Sequence, residues 1–318
     1  MPITIDDYDV FKIPKRKGGF RTIEAPKDYL KEKQEDILER LYQKVPVSPF
    51  CHGGVPFRSI VTNAYSHVKQ DVVASVDIVN FFPNTSKQLV MERLRKLTDD
   101  ENLIKDVENY CFLEDRLPQG APTSPYLANI ALIDFDWFMA RFCCVRGIQY
   151  TRYFDDITIS GKKSLIRIIG AIIRTVIPEM IYRYGRYKVH KEKIITAGRK
   201  MVCGVVVNEK LNVPRKYRRR LRAEIHQKGL NNATTLGKYN FVRMVREADT
   251  SNLKTSCELC RQWFKDRIAY SILTENKIKR YLKNIITESL YYHKHYKLDG
   301  VKELLDIKAF IYGDKDVI

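Results

Sequence analysis

Residues 72–78 read Val-Val-Ala-Ser-Val-Asp-Ile, a short apolar run with a carboxylate, Asp77, near its end. A run of this length, rich in β-branched side chains, predicts a buried strand. A second stretch, Ile148–Ile159, predicts two strands flanking a tight turn, with Tyr153-Phe-Asp-Asp156 at the turn. A carboxylate among such neighbours is costly to bury unless it is paired or bound to a cation. Converging at strand ends, Asp77, Asp155 and Asp156 would form an oxygen-rich pocket of the kind Mg²⁺ takes together with substrate phosphates. Two such ions, about 3.5–4 Å apart, stabilise both the attacking and the leaving oxygen of a phosphoryl transfer. Taken alone, an Asp-Asp pair in a turn is more often a solvated turn.

The remaining pattern is α+β. Phe11-Lys-Ile-Pro, a turn at Gly18-Gly19 and Phe20-Arg-Thr-Ile predict a β-hairpin. Pro26 opens a helical stretch through Lys44 with Leu30, Ile37, Leu41 and Val45 on one face. Further helices are expected around 58–66, 86–97, 126–142 and 164–184, and strands over 188–196 and 200–207. Leu117-Pro-Gln-Gly-Ala-Pro-Thr-Ser-Pro125 is a turn-rich segment, and after Pro214 the chain reads as helical and basic. A mixed α+β core with helices on one side, followed by a helical C-terminal module, is the expected architecture. Apolar runs such as Leu165–Ile177 are interrupted by Arg167 and Arg174, so no membrane span is expected. The opening MPITIDDYDV is acidic and lacks an apolar signal core, and the seven scattered cysteines suit reduced thiols; both point to the cytoplasm.

Charge selects the class of partner. The chain carries 56 Lys and Arg against 38 Asp and Glu, a net of +18. From Val213 onward there are 23 basic and 12 acidic residues, so +11 of that surplus lies in the last third. Such an excess points to a polyanion, usually nucleic acid, although a merely well-solvated surface has the same composition. The densest run is Arg215-Lys-Tyr-Arg-Arg-Arg-Leu-Arg222, with Tyr217 and Leu221 on its apolar side.

Order, spacing and residue type together resemble the palm of the reverse transcriptases. The matching blocks are Val76-Asp77-Ile-Val-Asn-Phe-Phe82, the Leu117–Pro125 turn and Tyr153-Phe-Asp-Asp156. Asn63-Ala-Tyr-Ser-His67 resembles the NAxxH element of the bacterial retron-type enzymes, and Val202-Cys-Gly204 stands where these usually carry Val-Thr-Gly. The resemblance implies a right-hand polymerase with an antiparallel palm sheet: fingers over 1–70 with part of 86–120, a catalytic palm over 71–212, and a helical, RNA-binding thumb over 213–318. It implies that Asp77 and Asp155 bridge two Mg²⁺ ions, with Asp156 as accessory carboxylate and the Ile78 carbonyl as a further oxygen ligand. Lys15 and Arg21 would grip the triphosphate of an incoming dNTP. Phe82 would lie beneath its sugar and reject a 2′-hydroxyl, Gln119 would contact the nucleotide, and Lys193 would stand near the leaving pyrophosphate.

Cys203 and Gly204 match the primer-grip hairpin, and Arg215, Lys216, Arg218, Arg219, Arg220 and Arg222 would hold RNA. The resemblance further implies a cognate structured noncoding RNA copied into a branched RNA–DNA product (msDNA), phage defence, and an effector protein encoded nearby. A stand-alone defence reverse transcriptase without such an RNA, and a catalytically silent RNA-binding protein on the same fold, are the alternatives. The sequence gives no physical account of why Asn63 and His67 should matter: Asn63 could cap or bridge a turn, and a histidine such as His67 is more often a hydrogen-bonded structural residue than a catalyst. Cys257-Glu-Leu-Cys260 with His293 and His295 has zinc-ligand types at unpersuasive spacing. Tyr281, Tyr291, Tyr292, His293 and His295 could stack on bases or pack between helices.

Overall fold

The computed structural model describes residues 3–15 and 18–271. Strands β1 (Tyr8–Pro14) and β2 (Phe20–Pro26) form the expected antiparallel hairpin, from Tyr8 opposite Pro26 to Pro14 opposite Phe20. Pro26 closes β2 rather than opening a helix. Helix α1 (Asp28–Lys44) starts two residues later and buries Leu30, Gln34, Ile37 and Leu41. A loop leads to the short α2 (Ile60–Tyr65), capped by the Ser59 hydroxyl, which accepts from the Val61 N–H. Next come β3 (Val72–Asp77), α3 (Lys87–Leu97) and α4 (Glu101–Tyr110). Sequence periodicity had not separated α4, although Asp100 caps it and Leu103, Ile104 and Val107 form its buried stripe.

The apolar stretch around Pro125 is two helices, α5 (Ser124–Ala131) and α6 (Ile133–Cys144), where the sequence pattern predicts one. The chain bends at Leu132, whose backbone leaves the helical region (φ −101°, ψ 12°). Both helices are buried nearly all round, so the apolar pattern runs through the bend without marking it. Strands β4 (Gln149–Tyr153) and β5 (Asp156–Gly161) follow, then α7 (Ile166–Ala171) and α8 (Ile177–Gly185), joined by a wide π turn over Ile172–Val176. Pro178 accounts for the wide turn: it cannot donate to the carbonyl four residues back, and its ring crowds that position. The last strands are shorter than the sequence suggested: β6 (Lys193–Ile195), β7 (Met201–Val202) and β8 (Val205–Val206). Helices α9 (Arg215–Lys228), α10 (Ala233–Arg246) and α11 (Ser256–Ser271) complete the described chain. Tyr281, Tyr291, Tyr292, His293 and His295 lie outside the described residues. None of the described helices is long and apolar enough to cross a membrane.

The central sheet has the order β4-β5-β3-β6 and is antiparallel throughout. Side chains alternate between its faces. Val72, Ala74, Val76, Ile157, Ile159 and Tyr150 belong to the main apolar core with α5, α6 and the α7–α8 segment. The opposite face carries Val73, which packs with α2, the β7–β8 hairpin and Val245 of α10 in a second, smaller core. Both faces are therefore covered, which is why β3 is apolar at nearly every position until Asp77.

Candidate active site

The strand register brings the carboxylates together. Asp77, the last residue of β3, lies directly opposite Asp156, the first residue of β5, and the two share the α2 face of the sheet. Directly opposed residues have Cβ atoms about 5 Å apart, and like charges so placed are destabilising. Asp155 belongs to the turn between β4 and β5, and its carbonyl accepts from the Ile78 N–H at 2.8 Å, tying the turn to the end of β3. Burial pushes the Asp155 carboxyl above its usual range, and the Asp77 charge adds to this, with Arg21 opposing it. The same two causes push Asp156 up to about 6.

The carboxylates are held differently. Asp156 accepts from the Thr158 hydroxyl at 3.2 Å and from the Cys203 thiol at 3.5 Å, one bond on each oxygen. Asp77 and Asp155 instead face an open cleft of about 1320 Å³. That is larger than the roughly 300–1,000 Å³ of a drug-sized pocket and suits a polymer end plus a nucleotide. Lys15, Arg21, Ile78, Phe82 and Gln119 line the same cleft, so seven of the residues singled out from sequence converge there. Cys203 and Gly204 form the two-residue turn between β7 and β8, both at positive φ (46° and 83°), as a tight hairpin turn requires. Lys193 lies outside the cleft lining, on β6 opposite Ser75, and His190 and Lys191 stand at the rim instead.

Glu24, Arg116, His190 and Lys191 escaped sequence reading. Arg116 makes a two-pronged salt bridge to Glu24 (2.7 and 2.9 Å), whose carboxylate also accepts from the Gln119 N–H at 3.0 Å. The Glu24 N–H in turn donates to the Gln119 carbonyl at 2.9 Å, so the 117–125 turn is docked on β2. Gly120 (φ 143°) makes this approach possible, because a Cβ there would sit 2.8 Å from the Glu24 carbonyl.

A second charged cluster lies behind the Tyr153–Asp156 turn. Arg152 and Asp136 are fully buried and paired at 2.6 and 2.8 Å, and Asp136 also accepts from the Tyr150 hydroxyl at 2.6 Å. The same guanidinium donates to Asn129 at 3.1 Å and to the Phe154 carbonyl at 3.0 Å, holding the turn at a residue with positive φ (53°). From the other side, Gly53 and Gly54 lie against the Phe154 ring, where a Cβ at Gly53 would come within 2.8 Å.

His67 is hydrogen-bonded within the interior. It is buried between the Ser160 and Thr151 hydroxyls, each 2.7 Å from a ring nitrogen, and it pins the segment after α2 to the sheet. Burial pushes its pKa down to about 3, so it is neutral at pH 7. On α9, Tyr217 packs against Phe241 and Leu221 is buried, while Arg215, Lys216, Arg219, Arg220 and Arg222 are exposed. Arg218 is half-buried, and none of these six cations is in an ion pair among the described residues. Cys257 and Cys260 are buried thiols, and Cys257 donates to the Ile148 carbonyl at 3.2 Å, which is ordinary packing; His293 and His295 lie outside the described residues.

Among the described residues no group of three or more His, Cys, Asp and Glu side chains forms a ready-made metal cage. The donor set nevertheless fits a hard divalent cation. Asp77 and Asp155 are oxygen donors on one cleft, and Mg²⁺ commonly binds through one or two carboxylates with substrate phosphates supplying the rest.

The family described as "Reverse transcriptase (RNA-dependent DNA polymerase)" matches residues 13–200. The chain is 36% identical over 239 residues to the retron Mx65 reverse transcriptase of Myxococcus xanthus, covering 69% of this chain and 56% of that one. It is 34% identical over 259 residues to the retron Mx162 enzyme of the same organism, covering 71% and 53% respectively. To the retron Ec86 reverse transcriptase of Escherichia coli it is 30% identical over 224 residues, 69% of each chain. The chain thus spans about half the length of its Myxococcus relatives.

Proposed function

The chain belongs to the reverse transcriptases of the retron type, and from that premise we propose that it is an RNA-directed DNA polymerase with a dedicated, structured noncoding RNA as template. The observation that carries this reading is the single cleft that combines Asp77, Asp155 and Ile78 with Lys15, Arg21, Phe82 and Gln119. Two Mg²⁺ ions, held by Asp77, Asp155 and the Ile78 carbonyl with Asp156 accessory, would supply charge neutralisation at the reacting phosphate when bound.

The side chains do the positioning. Lys15 and Arg21 on the β1–β2 hairpin grip the triphosphate, Arg by its fork of donors and Lys as a point charge. Gln119 is fixed by its backbone bonds to Glu24 and so presents a preset surface to the nucleotide. Phe82 is backed by Phe81 (5.4 Å) and Phe154 (6.2 Å), and a ring held this firmly would clash with a ribose 2′-hydroxyl. Positive charge on the leaving-group side comes from Lys191 at the rim, with Lys193 on the strand behind it. The Cys203–Gly204 turn supports the primer end. The exposed cations of α9, from Arg215 to Arg222, hold duplex phosphates, as shape-based recognition of A-form RNA requires. In this division 1–70 with part of 86–120 act as fingers, 71–212 as palm and 213–318 as thumb.

We further propose a branched RNA–DNA product (msDNA), cytoplasmic phage defence and a neighbouring effector as the setting. Nucleic acid co-purified from the native locus tests the proposal. One DNA species of fixed length, joined to RNA and released by a debranching enzyme, is the expected result. Unbranched or heterogeneous DNA would favour a stand-alone defence polymerase, and RNA without DNA a silent binder.

A further inference from the structure

Asn63 has no role in the scheme above, yet it is fully buried, lies next to the catalytic end of the sheet, and reaches it through one intermediary. Its side-chain amide donates to the Cys203 sulfur at 3.4 Å, across 140 residues of sequence. The Cys203 thiol in turn lies 3.5 Å from Asp156 Oδ2. Nothing else in the described structure bonds to that oxygen through a side chain, whereas Oδ1 is held by Thr158.

The direction of the chain of bonds is fixed by the number of hydrogens available. A thiol has one proton and a weakly accepting sulfur. With Nδ2 facing the sulfur, that proton is free for the carboxylate. The flipped amide would take the proton for itself and leave Asp156 without it. The orientation present leaves Asn63 Oδ1 buried without a partner.

The supporting framework is rigid. On α2, Val61 and Ala64 flank Asn63 and pack with Val202 and Val205 of the β7–β8 hairpin in the smaller core. His67 pins the same segment to β4 and β5. The hairpin turn leaves the Cys203 backbone little freedom, at φ 46°.

We propose that Asn63 and Cys203 are positioning residues for Asp156: Asn63 orients the Cys203 thiol, and the thiol fixes the carboxylate while coupling it to the β7–β8 hairpin. The proposal rests on the polymerase reading only for its consequence in catalysis. The alignment of the carboxylate is itself measurable without any reaction.

The test compares Cys203→Ala, Cys203→Ser, Asn63→Ala and the double alanine variant in the full chain. Mn²⁺ affinity is read by electron paramagnetic resonance, and amide exchange over residues 153–158 by mass spectrometry. Melting curves confirm folding, with the half-buried Cys203 variants carrying the test should Asn63→Ala not fold. Cys203→Ala is expected to weaken Mn²⁺ binding by about tenfold, the low end for loss of a group that orients a metal ligand. Amide exchange should quicken in the 153–158 turn and not elsewhere. Cys203→Ser, which keeps a donor, should recover most of the lost affinity. The double variant should be no worse than the weaker single, since both break one chain of bonds.

In primer extension the alanine variants should lose turnover number with the dNTP KM retained. Unchanged Mn²⁺ affinity and turn exchange in Cys203→Ala, or effects of the two positions that simply add, would overturn the proposal. A wild-type protein that binds Mn²⁺ and shows the coupling but extends no primer would leave this proposal standing and remove the polymerase reading.

Discussion

Within six residues of β4, the turn and β5, the protein treats buried charge in two opposite ways. Arg152 is matched on every side: Asp136, Asn129 and the Phe154 carbonyl take its hydrogens, and the pair is sealed from water. Asp155 and Asp156 also lie largely within the protein but share their space with another carboxylate, Asp77. The first arrangement stabilises a shape, while the second stores unfavourable charge. The contrast suggests a division of labour, in which a satisfied ion pair holds rigid a turn that carries groups left unsatisfied for a ligand.

Asp155→Asn should sharpen this contrast most. Losing several kcal/mol of transition-state stabilisation, at about 1.4 kcal/mol per tenfold, should reduce primer extension by about a thousandfold or more. The melting temperature should hold or rise, because one of the mutually repelling charges is gone. Undiminished extension would break the assignment of Asp155.

The converse belongs to the pair behind it. Arg152→Met should destabilise the fold by about 3–5 kcal/mol in urea titrations, since Asp136 is left buried without its counter-charge, with the Tyr150 hydroxyl bonded to it. Adding Asp136→Leu should restore much of that stability, because well-packed apolar replacements for a buried pair are often neutral. If Arg152→Met proved as stable as wild type, the contrast would collapse.

The pH dependence has a definite sign. The folded-state pKa of Asp156, about 6, is above its ordinary value of 3.8. In metal-free protein this group therefore favours folding fully below about pH 4, and the contribution is lost as pH rises through 6. Because a cation competes with that proton, apparent Mg²⁺ affinity should fall below pH 6, by at most about tenfold per unit for one proton. Calorimetric titration at pH 5 and 7.5 measures it.

Glu24 is the intermediate case, a paired carboxylate at the cleft wall. Burial raises its pKa, but the Arg116 and Gln119 hydrogen bonds outweigh this and hold it below its ordinary value. Its stabilisation is thus present above the ordinary glutamate range and lost as pH falls through the lowered folded value. Glu24→Gln should cost about 1 kcal/mol in denaturant titration, the scale of a single partly exposed pair. A several-fold higher dNTP KM should accompany it, because the side-chain half of the support for Gln119 is weakened while the backbone bond remains.

Sequence patterns reached local features and fell short of distant ones. The strand ending at Asp77, the Tyr153–Asp156 turn and the β1–β2 hairpin were readable because period, turn residues and charge all act within a few positions. The Arg152–Asp136 pair is not legible in the sequence: Asp136 is a charge inside a largely apolar helix, but Arg152 stands in the polar-reading strand Gln149–Tyr153 and carries no such signal. Which charge meets which depends on how β4 packs against α6, and periodicity does not contain that packing. Lys193 shows the same limit from the other side. The resemblance points to Lys193, but β6 begins at that residue, and the cleft lining is supplied by His190 and Lys191 just before the strand.

The fit of Gly53 and Gly54 against the Phe154 ring also bears on building hybrids of this protein. The two halves of that fit are contributed by segments about a hundred positions apart. A crossover between them would join a loop from one parent to the Tyr153–Asp156 turn from another, and any bulkier residue in the loop would lever the turn away from its carboxylate partner. Exchange of fragments with a relative therefore has to treat residues 51–58 and 150–156 as one inherited unit.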